Sequence, residues 1–401
     1  MLRPILSAMM RNKTGALLVA MQIAIALAVI INAVFIVQQR IAFINRDSGI
    51  DVENLVMISS FGFADDYDQL ATVEADLALL KSLPGVTSVT PTRGIPLSGS
   101  GSATGFSPST DDDALDVVAN YYTMDHTALE TLGIELKAGR NFRPEEVLRL
   151  ADDEVMRPAV VLITHAMAEN LFPDTKDYVG KLIYDNPDNP LEVIGIIDKM
   201  HGAWVSWQNL DHVAIFPVIV PAPHIRYMVR AHADQVEALV PLIEEELGSN
   251  NSTRLINQVQ TMKEVVSRSY SRDQAMAIAL MVVIFMLVTV TALGIVGLAA
   301  FNVRQRTKQI GTRRAVGAKR GDILRYFLAE NWLMTTAGVV AGVALTMLLN
   351  YYLATEYSLD KLDPVYVPFG VLAMWALGLL AVLGPARRAS TISPAVATRT
   401  V

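Results

Sequence analysis

Histidines are the first residues to consider for catalysis or metal binding, and this 401-residue chain has six of them. No two have the i, i+4 spacing that places two metal ligands on one helix face, and no His-Glu-x-x-His motif occurs. Cysteine is absent, which excludes a thiolate metal site and a cysteine nucleophile on this chain. We therefore expect no metal site and ordinary core or surface positions for the histidines. The six are His126, His165, His201, His212, His224 and His232.

Other features with chemical potential also lack the pattern that their chemistry requires. The run Asp111-Asp112-Asp113 could meet calcium, but it lacks the Asp-x-Asp-x-Asp-Gly loop, so a solvated turn is expected. A Gly-x-Ser-x-Gly nucleophile elbow and a Gly-x-x-x-x-Gly-Lys-Ser/Thr phosphate loop are both missing from the sequence. The sequence thus predicts no catalytic residue, no bound cofactor and no nucleotide site on this chain.

Basic residues are concentrated in one segment, 304–330, which carries eight Lys or Arg against Asp322 and Glu330. Apolar residues at helical spacing make the segment amphipathic, and Gly317-Ala318 predicts a bend between two short helices. A segment of this kind can lie on anionic lipid, bind a cytoplasmic protein or fix membrane topology. The apolar residues are Ile310, Ala315, Val316, Ile323, Leu324 and Phe327.

The elements that must position this segment are apolar. Hydrophobic residues make up 52% of the chain, and the mean hydropathy is +0.35, which is typical of a membrane protein. Four stretches without Asp, Glu, Lys or Arg are long enough to cross a hydrocarbon core of ~30 Å. Because ion pathways need ionisable groups inside the bilayer, these uncharged spans disfavour a proton-coupled carrier. The predicted spans are 15–37, 275–300, 332–353 and 365–383.

Two glycines in the third span, Gly338 and Gly342, form a Gly-x-x-x-Gly pair. Such a pair lets two membrane helices approach closely. Glycine is also simply common in membrane helices, so the pair by itself does not decide between packing and background composition.

Charges beside the spans predict the orientation of the chain. Basic residues precede the first span and fill the loop between the second and third, whereas the loop between the third and fourth is mainly acidic. The first apolar run is too long for a secretory signal, so we expect it to be retained as a span. The predicted order is a cytoplasmic N-terminus 1–14, an extracytoplasmic domain 38–274, a cytoplasmic loop 301–331, a short outer loop 354–364 and a cytoplasmic tail 384–401.

The net charge of −7 divides unevenly along the chain. Residues 47–267 carry 34 acidic and 14 basic side chains, a net of −20, while the remaining residues have a net of +13. The acidic block therefore predicts a water-soluble domain outside the membrane, and its sign argues against nucleic-acid binding.

Hydrophobic patterning within the acidic block predicts a mixed α/β domain. A strand at 55–59, a helix at 67–82 and a strand at 86–90 recur in the same order at 226–230, 233–247 and 253–257. Two such units at the two ends predict one α/β subdomain, about 47–97 with 224–267. A strand-rich subdomain at about 98–223 is expected to interrupt it.

The basic segment resembles the cytoplasmic loop of MacB/FtsX-type ABC transporter permeases. The matching residues are Gln305-Arg-Thr-Lys-Gln-Ile-Gly-Thr-Arg-Arg-Ala-Val-Gly-Ala318. Further pieces are similar to that family in the same order: 132–140, 171–173, 179–181 and 193–198 in the outer domain, and 385–389 with Ser393-Pro394 in the tail. The family commonly has glutamates where Gln305 and Gln309 stand. The resemblance does not say whether this departure is drift or an altered partner.

The resemblance implies a type VII ABC architecture in a bacterial inner membrane, with a porter-like α/β subdomain and a β-rich subdomain in the periplasm. Two permease chains pair as a homodimer or heterodimer, and cytoplasmic ATPases that bind ATP and Mg²⁺ dock on the loop. Because only 14 residues precede the first span, the ATPase is expected on a separate chain. A periplasmic adaptor is a further possible partner. The residues expected to couple the ATPase are Arg306, Lys308, Gln309, Ile310, Gly311, Arg313, Arg314, Ala315, Val316, Gly317 and Ala318.

Two functions remain open at this stage. One is export or extraction of a peptide, antibiotic, lipid or lipoprotein. The other is FtsX-like signalling that activates a cell-wall hydrolase without transport, although FtsX outer domains are usually much smaller than this one. For either function, Gly317→Pro or joint replacement of Arg313 and Arg314 by Glu is expected to abolish ATPase association.

Overall fold

The computed structural model describes residues 13–64, 67–111, 116–150, 154–220, 222–357 and 360–392. The predicted N-terminal segment before Lys13, Asp112 and Asp113 of the acidic run, and Ser393-Pro394 of the tail lie outside the described residues. The chain divides into two compact units. Met1–Asn45 with Asp273–Val401 form the membrane unit, and Arg46–Arg272 form the α/β unit.

Within the described residues, four helices are long and apolar enough to cross a membrane. Three of them contain a predicted span and extend beyond it at both ends, and the fourth begins one residue after the predicted start at 365 and extends past the predicted end. A short helix lies between the second and third long helices. The long helices are Lys13–Ile44, Ser271–Gln305, Arg320–Tyr357 and Tyr366–Thr391, and the short loop helix is Thr307–Ala315.

Two helix ends differ from the sequence expectation. The second short helix predicted in the basic segment is instead the beginning of the third long helix, which starts at Arg320. Ile323 and Phe327 pack into the same core cluster as the span, so no break separates them. The fourth helix continues to Thr391 through Pro385, eight residues past the predicted span end at 383. Its last turns are held by packing, since Ala386 and Ala389 are buried.

The first long helix supplies much of the core of the membrane unit. Ile23, Leu27 and Ile31 are almost fully buried. The third helix approaches this helix through its two glycines: a Cβ at Gly338 would lie 2.8 Å from the carbonyl oxygen of Ala20, and a Cβ at Gly342 would lie 3.0 Å from the Cβ of Leu27. Backbone approach of this kind is possible only without a side chain.

The α/β unit contains twelve strands among its described residues. They are β1 (Leu55–Gly62), β2 (Val86–Thr92), β3 (Ser102–Phe106), β4 (Val117–Met124), β5 (Leu136–Gly139), β6 (Leu148–Arg149), β7 (Val160–Thr164), β8 (Leu182–Tyr184), β9 (Pro190–Ile197), β10 (Val213–Ile219), β11 (His224–Ala231) and β12 (Arg254–Thr261). Its helices are Gln69–Ser82, Ala128–Leu132, His165–Leu171, Val236–Asn250 and Met262–Ser269.

Strands from the two ends of the unit form a four-stranded antiparallel sheet in the order β12-β1-β11-β2. Helices Gln69–Ser82 and Val236–Asn250 cover one face, where Val56, Ile58 and Tyr227 join their core cluster. Asp68 caps the first of these helices by accepting a hydrogen bond from the backbone N–H of Ala71 at 3.0 Å. The predicted α/β subdomain built from both ends is confirmed.

The intervening residues form an eight-stranded mixed sheet. Its path is β3-β4-β10-β7-β9-β5, with β6 paired to β10 and β8 paired to β9. The strands β7 and β10 are buried along their whole length, as expected for strands covered on both faces. Phe106 and Phe216 meet in its core with ring centroids 6.1 Å apart. This strand-rich insert confirms the predicted fold class.

Candidate functional site

The loop helix Thr307–Ala315 ends at a glycine in the left-handed region. Gly317 has φ +106°, and its N–H donates to the carbonyl oxygen of Arg314 at 3.1 Å. No other atom lies within 4 Å of the position that a Cβ would take, so the backbone angle, and not crowding, favours glycine here. The third long helix begins three residues later, where the side chain of Asp322 accepts from the N–H of Lys319 at 3.0 Å.

One face of the loop helix is buried in the membrane unit. Ile310 is 4% exposed and belongs to the same core cluster as Ile323 and Phe327 of the third helix. Gly311 beside it is also buried. These contacts fix the loop helix against the start of the third helix, so its opposite face is presented in a defined orientation.

Arg306, the residue before the loop helix, forms an ion pair with Glu330 of the third helix. The Nη1 and Oε2 atoms are 2.8 Å apart, and the side chains are only 16% and 5% exposed. A charge-assisted hydrogen bond at this distance and burial is among the stronger polar contacts in proteins. The pair therefore ties the N-terminal end of the loop helix to the third helix.

Arg314, in the last turn of the loop helix, binds the end of the fourth helix. Its Nη1 donates to the carbonyl oxygens of Ile392 at 2.6 Å and Ser390 at 3.2 Å. The last carbonyls of a helix have no partner within the helix and carry its partial negative charge, so a guanidinium satisfies both needs. The loop helix is thus fastened at both ends, to two different long helices.

Most of the other residues that the sequence predicts to couple the ATPase are exposed. Val316 is 84% exposed, which is unusual for a large apolar side chain. Exposed Ala315 and Gly317 adjoin it in sequence, and exposed Lys308 and Arg313 are also on the loop helix. Arg313 lies over the ring of Tyr326, 5.1 Å from its centroid. Gln305 and Gln309 are exposed as well, and Ala318 is half-buried.

The sequence predicts the same role, coupling to the ATPase, for Arg306, Arg313 and Arg314. The structure gives Arg306 and Arg314 different surroundings from those of Arg313. Arg306 and Arg314 hold the loop helix to the membrane unit, while Arg313 and Lys308 form part of an exposed surface. The partners Glu330 and Ser390 were not predicted. A signal for Glu330 exists, because it is the only acidic residue in the last eight positions before the third predicted span.

The histidines are distributed over separate hydrogen bonds. His201 Nε2 lies 3.0 Å from Asp211, and His224 Nε2 lies 2.8 Å from the hydroxyl of Ser59. Across the described ranges, no group of three or more His, Asp or Glu side chains is arranged to hold a metal ion. The chemistry that the loop arrangement supports is recognition of another macromolecule by a basic and apolar surface.

Four helices of spanning length, a large α/β domain inserted after the first of them and a fixed basic loop helix define a multi-pass permease subunit. The model of the MacB-like periplasmic core domain matches residues 16–252, and that of the FtsX-like permease C-terminal domain matches residues 281–394. The first match covers more than half of the chain. The chain belongs to the MacB/FtsX-like family of ABC transporter permeases, and its α/β unit is the extracytoplasmic domain.

Curated relatives share the name macrolide export ATP-binding/permease protein MacB. The protein of Nitrosomonas europaea is 30% identical over 274 residues, which cover 61% of this chain and 38% of the relative. That of Neisseria meningitidis is 25% identical over 293 residues, covering 70% and 43%. That of Yersinia pestis is 22% identical over 415 residues, covering 96% and 58%. The aligned part of the chain spans about half the length of these relatives.

Solved structures similar to part of the chain include the periplasmic region of MacB from Actinobacillus actinomycetemcomitans. That structure is 17% identical, with a TM-score of 0.35, and the match covers 54% of this chain and 92% of that one. The extracellular domain of the noncanonic ABC-type transporter YknZ from Gram-positive bacteria is also 17% identical, with a TM-score of 0.32, covering 50% and 100%.

Proposed function

We propose that this chain is the permease subunit of a MacB/FtsX-type ABC transporter, worked by an ATPase on a separate polypeptide. In this proposal the ATPase binds ATP and Mg²⁺ and docks on the exposed surface of the loop helix, namely Lys308, Gln309, Arg313, Ala315 and Val316. The observation that carries the proposal is Val316: an apolar side chain 84% exposed, directly after a basic helix that is fastened at both ends.

The two arginine contacts connect the proposed docking surface to two of the long helices. Force applied to the loop helix would reach the third helix through Arg306 and Glu330, and the fourth helix through Arg314 and the carbonyls at its C-terminal end. Because the helices of the membrane unit are in close contact, a small displacement of the loop helix would tilt them together. We propose that this motion works the extracytoplasmic domain.

A second permease chain is part of the proposal. The second long helix, Ser271–Gln305, exposes Phe285 at 71% and Leu293 at 64%, and such side chains suit either lipid or another apolar helix. We propose a homo- or heterodimer in a bacterial inner membrane, with the basic loop and both termini cytoplasmic, as the positive-inside rule favours.

The proposed activity is export or extraction of a substrate, supported by the name of the curated relatives, which are macrolide exporters. The proposal includes a peptide, an antibiotic, a lipid or a lipoprotein as the substrate, and a periplasmic adaptor as a further partner. The alternative function is signalling, in which the chain activates a cell-wall hydrolase and moves no substrate.

The test measures binding between the full chain and the ABC ATPase that co-purifies with it from the cells that encode it. Val316→Asp should weaken ATPase binding at least about tenfold, because it places an unpaired charge at the centre of the interface. Arg313→Glu should weaken it less, as expected for an exposed charge. Arg314 is unsuitable for charge reversal, since its loss would also release the end of the fourth helix.

Arg325→Glu is the matched control: it reverses an exposed charge of the same basic segment outside the loop helix. ATPase binding that is unchanged in the Val316 and Arg313 variants, or equally weakened in the Arg325 variant, would show that the loop helix is not the docking site.

A further inference from the structure

Large apolar side chains are mostly enclosed in the extracytoplasmic domain, but Phe61, Phe63 and Leu255 are 44%, 61% and 57% exposed. The three belong together in space. Phe61 on β1 is the registered partner of Leu255 on β12, and the N–H of Phe63 bonds the carbonyl of Thr253 at 3.1 Å, just before β12 begins. They therefore form one apolar patch at the end of the four-stranded sheet.

This patch lies on the sheet face opposite the two covering helices. Side chains alternate between faces along a strand, and Ile58 of β1 points into the helix-covered core, so Ser59 and Phe61 point the other way. Phe61 is also registered with His224 of β11, and Ser59 is registered with Arg226. Apolar and basic side chains are thus adjacent at the exposed end of this face, whereas the same face farther along β1 is buried.

The basic part of the face consists of Arg93, Arg226 and His224. Arg226 Nη1 donates to the backbone carbonyl of Arg93, and the Arg93 charge is close enough to act on the Arg226 guanidinium. Burial lowers the pKa of Arg226, and the positive charge of Arg93 lowers it further. Burial and then these two arginines lower the pKa of His224. Within the described residues, none of the three forms an ion pair with a carboxylate, although the surrounding block has a net charge of −20.

We propose that this surface, defined as Phe61, Phe63, Leu255, Arg93, His224 and Arg226, docks a second protein through a segment that presents an apolar side chain beside Asp or Glu. Aromatic residues and arginine are the types enriched at the energetic centre of protein interfaces. The positive charges of Arg93 and Arg226 are complementary to an acidic rim. The proposal depends on the extracytoplasmic placement of the domain and not on ATPase docking.

Two other occupants fit the surface less well. A second copy of this chain, paired about a two-fold axis through the patch, would place Arg226 and Arg93 against their own equivalents, which is repulsive. A lipid chain would contact only the exposed patch at the end of the sheet, and most of its surface would remain in water.

The experiment places the photo-crosslinking residue p-benzoylphenylalanine at Phe61 or Leu255 of the full chain, in the cells that encode it. Val155 is the matched control, because it is 72% exposed on the same domain and distant in sequence from the patch. We expect a protein adduct from Phe61 and Leu255 but not from Val155. Joint replacement Arg93→Glu and Arg226→Glu should reduce the adduct at least fivefold.

Mapping of the adduct should identify a partner segment with Asp or Glu next to the crosslinked apolar residue. Exchange of that acidic residue for Lys should restore the adduct in the Arg93→Glu, Arg226→Glu background. The proposal is overturned by an adduct yield no higher than from Val155, by an adduct insensitive to the arginine charges, or by an adduct with lipid or with a second copy of this chain. Because ATPase docking is measured separately by binding to the loop helix, the two failures are distinguishable.

Discussion

Among the described residues, the most buried arginine–carboxylate pair of one unit stands in different surroundings from that of the other. In the extracytoplasmic domain, Arg254 and Asp76 are 0% and 1% exposed and lie between the four-stranded sheet and its helices. In the membrane unit, Arg306 and Glu330 are 16% and 5% exposed and join the loop helix to the third helix. The first pair is enclosed in a core, and the second connects the core to a surface.

The two units also differ in what drives their helices and strands together. Burial of apolar side chains from water stabilises the extracytoplasmic domain, as its helix-covered sheet shows. Lipid is as apolar as a leucine side chain, so this force is weak between membrane helices, which depend on close packing and a few polar contacts. Gly338 and Gly342 provide that packing against the first helix. In the membrane unit the arginine–carboxylate pair therefore joins elements that apolar burial holds together only weakly, while in the outer domain the pair is enclosed within the fold.

The largest effect is expected from breaking the enclosed pair. Asp76→Ala leaves Arg254 charged and unpaired in the core and also removes the acceptor of the Tyr227 hydroxyl at 2.7 Å. The free energy of unfolding of residues 46–272, measured in urea, should fall by about 3–5 kcal/mol. The double variant Asp76→Leu, Arg254→Met should recover most of this loss, because no unpaired charge remains. A double variant as unstable as Asp76→Ala would mean that the pair is itself a main source of stability.

A somewhat smaller effect is expected from acid acting on the extracytoplasmic domain. His201 is 3% exposed, and burial lowers its pKa from 6.5 to about 4. Arg46 and Lys199 also lower this pKa, while Asp211 raises it. The unfolded chain binds the proton at higher pH than the folded chain does, so stability is fully present above pH 6.5 and is lost as the pH falls toward 4, by up to roughly 3 kcal/mol.

The measurement is urea unfolding of the same fragment at several pH values between 7 and 4. The glutamine of His201→Gln cannot be protonated in this range. The free energy of unfolding of this variant should therefore fall less between pH 7 and pH 4 than that of the parent, and the difference should equal the loss assigned to His201. An equal slope in both proteins would place the pH dependence on other groups.

The smallest effect is expected from filling the close contact of the membrane helices. Gly338→Val would put a Cβ 2.8 Å from the carbonyl oxygen of Ala20 and should destabilise the membrane unit by about 1–3 kcal/mol, as overpacking does. Thermal unfolding of the full chain in detergent would report this as a lower Tm. Gly297→Val in the second long helix is the matched control, since among the described residues no atom outside the local helix backbone lies within 4 Å of its Cβ position. An equal loss in both variants would point to helix propensity and not to packing.

The amino-acid sequence alone was sufficient for the class of fold. Apolar runs of spanning length, charges beside them and alternation within the acidic block are local patterns, and hydrophobic burial acts on such patterns directly. The same patterns did not predict that the third helix begins at Arg320, because Gly317-Ala318 suggested a second short helix. Helix continuation was decided by the packing of Ile323 and Phe327 against residues elsewhere in the membrane unit.

Charge and hydropathy along the chain determined two features: an acidic outer domain between apolar helices, and a basic loop after the second helix. Both could be predicted because composition and periodicity are properties of neighbouring residues. Only the tertiary structure decided which basic residues of that loop are internal. Arg306 and Arg314 bind Glu330 and Ser390, which are 24 and 76 positions away, while Arg313 stays on the surface. The three arginines are of one type and belong to one segment of the sequence. They differ because the third helix brings a carboxylate to Arg306 and the fourth helix brings free carbonyl groups to Arg314.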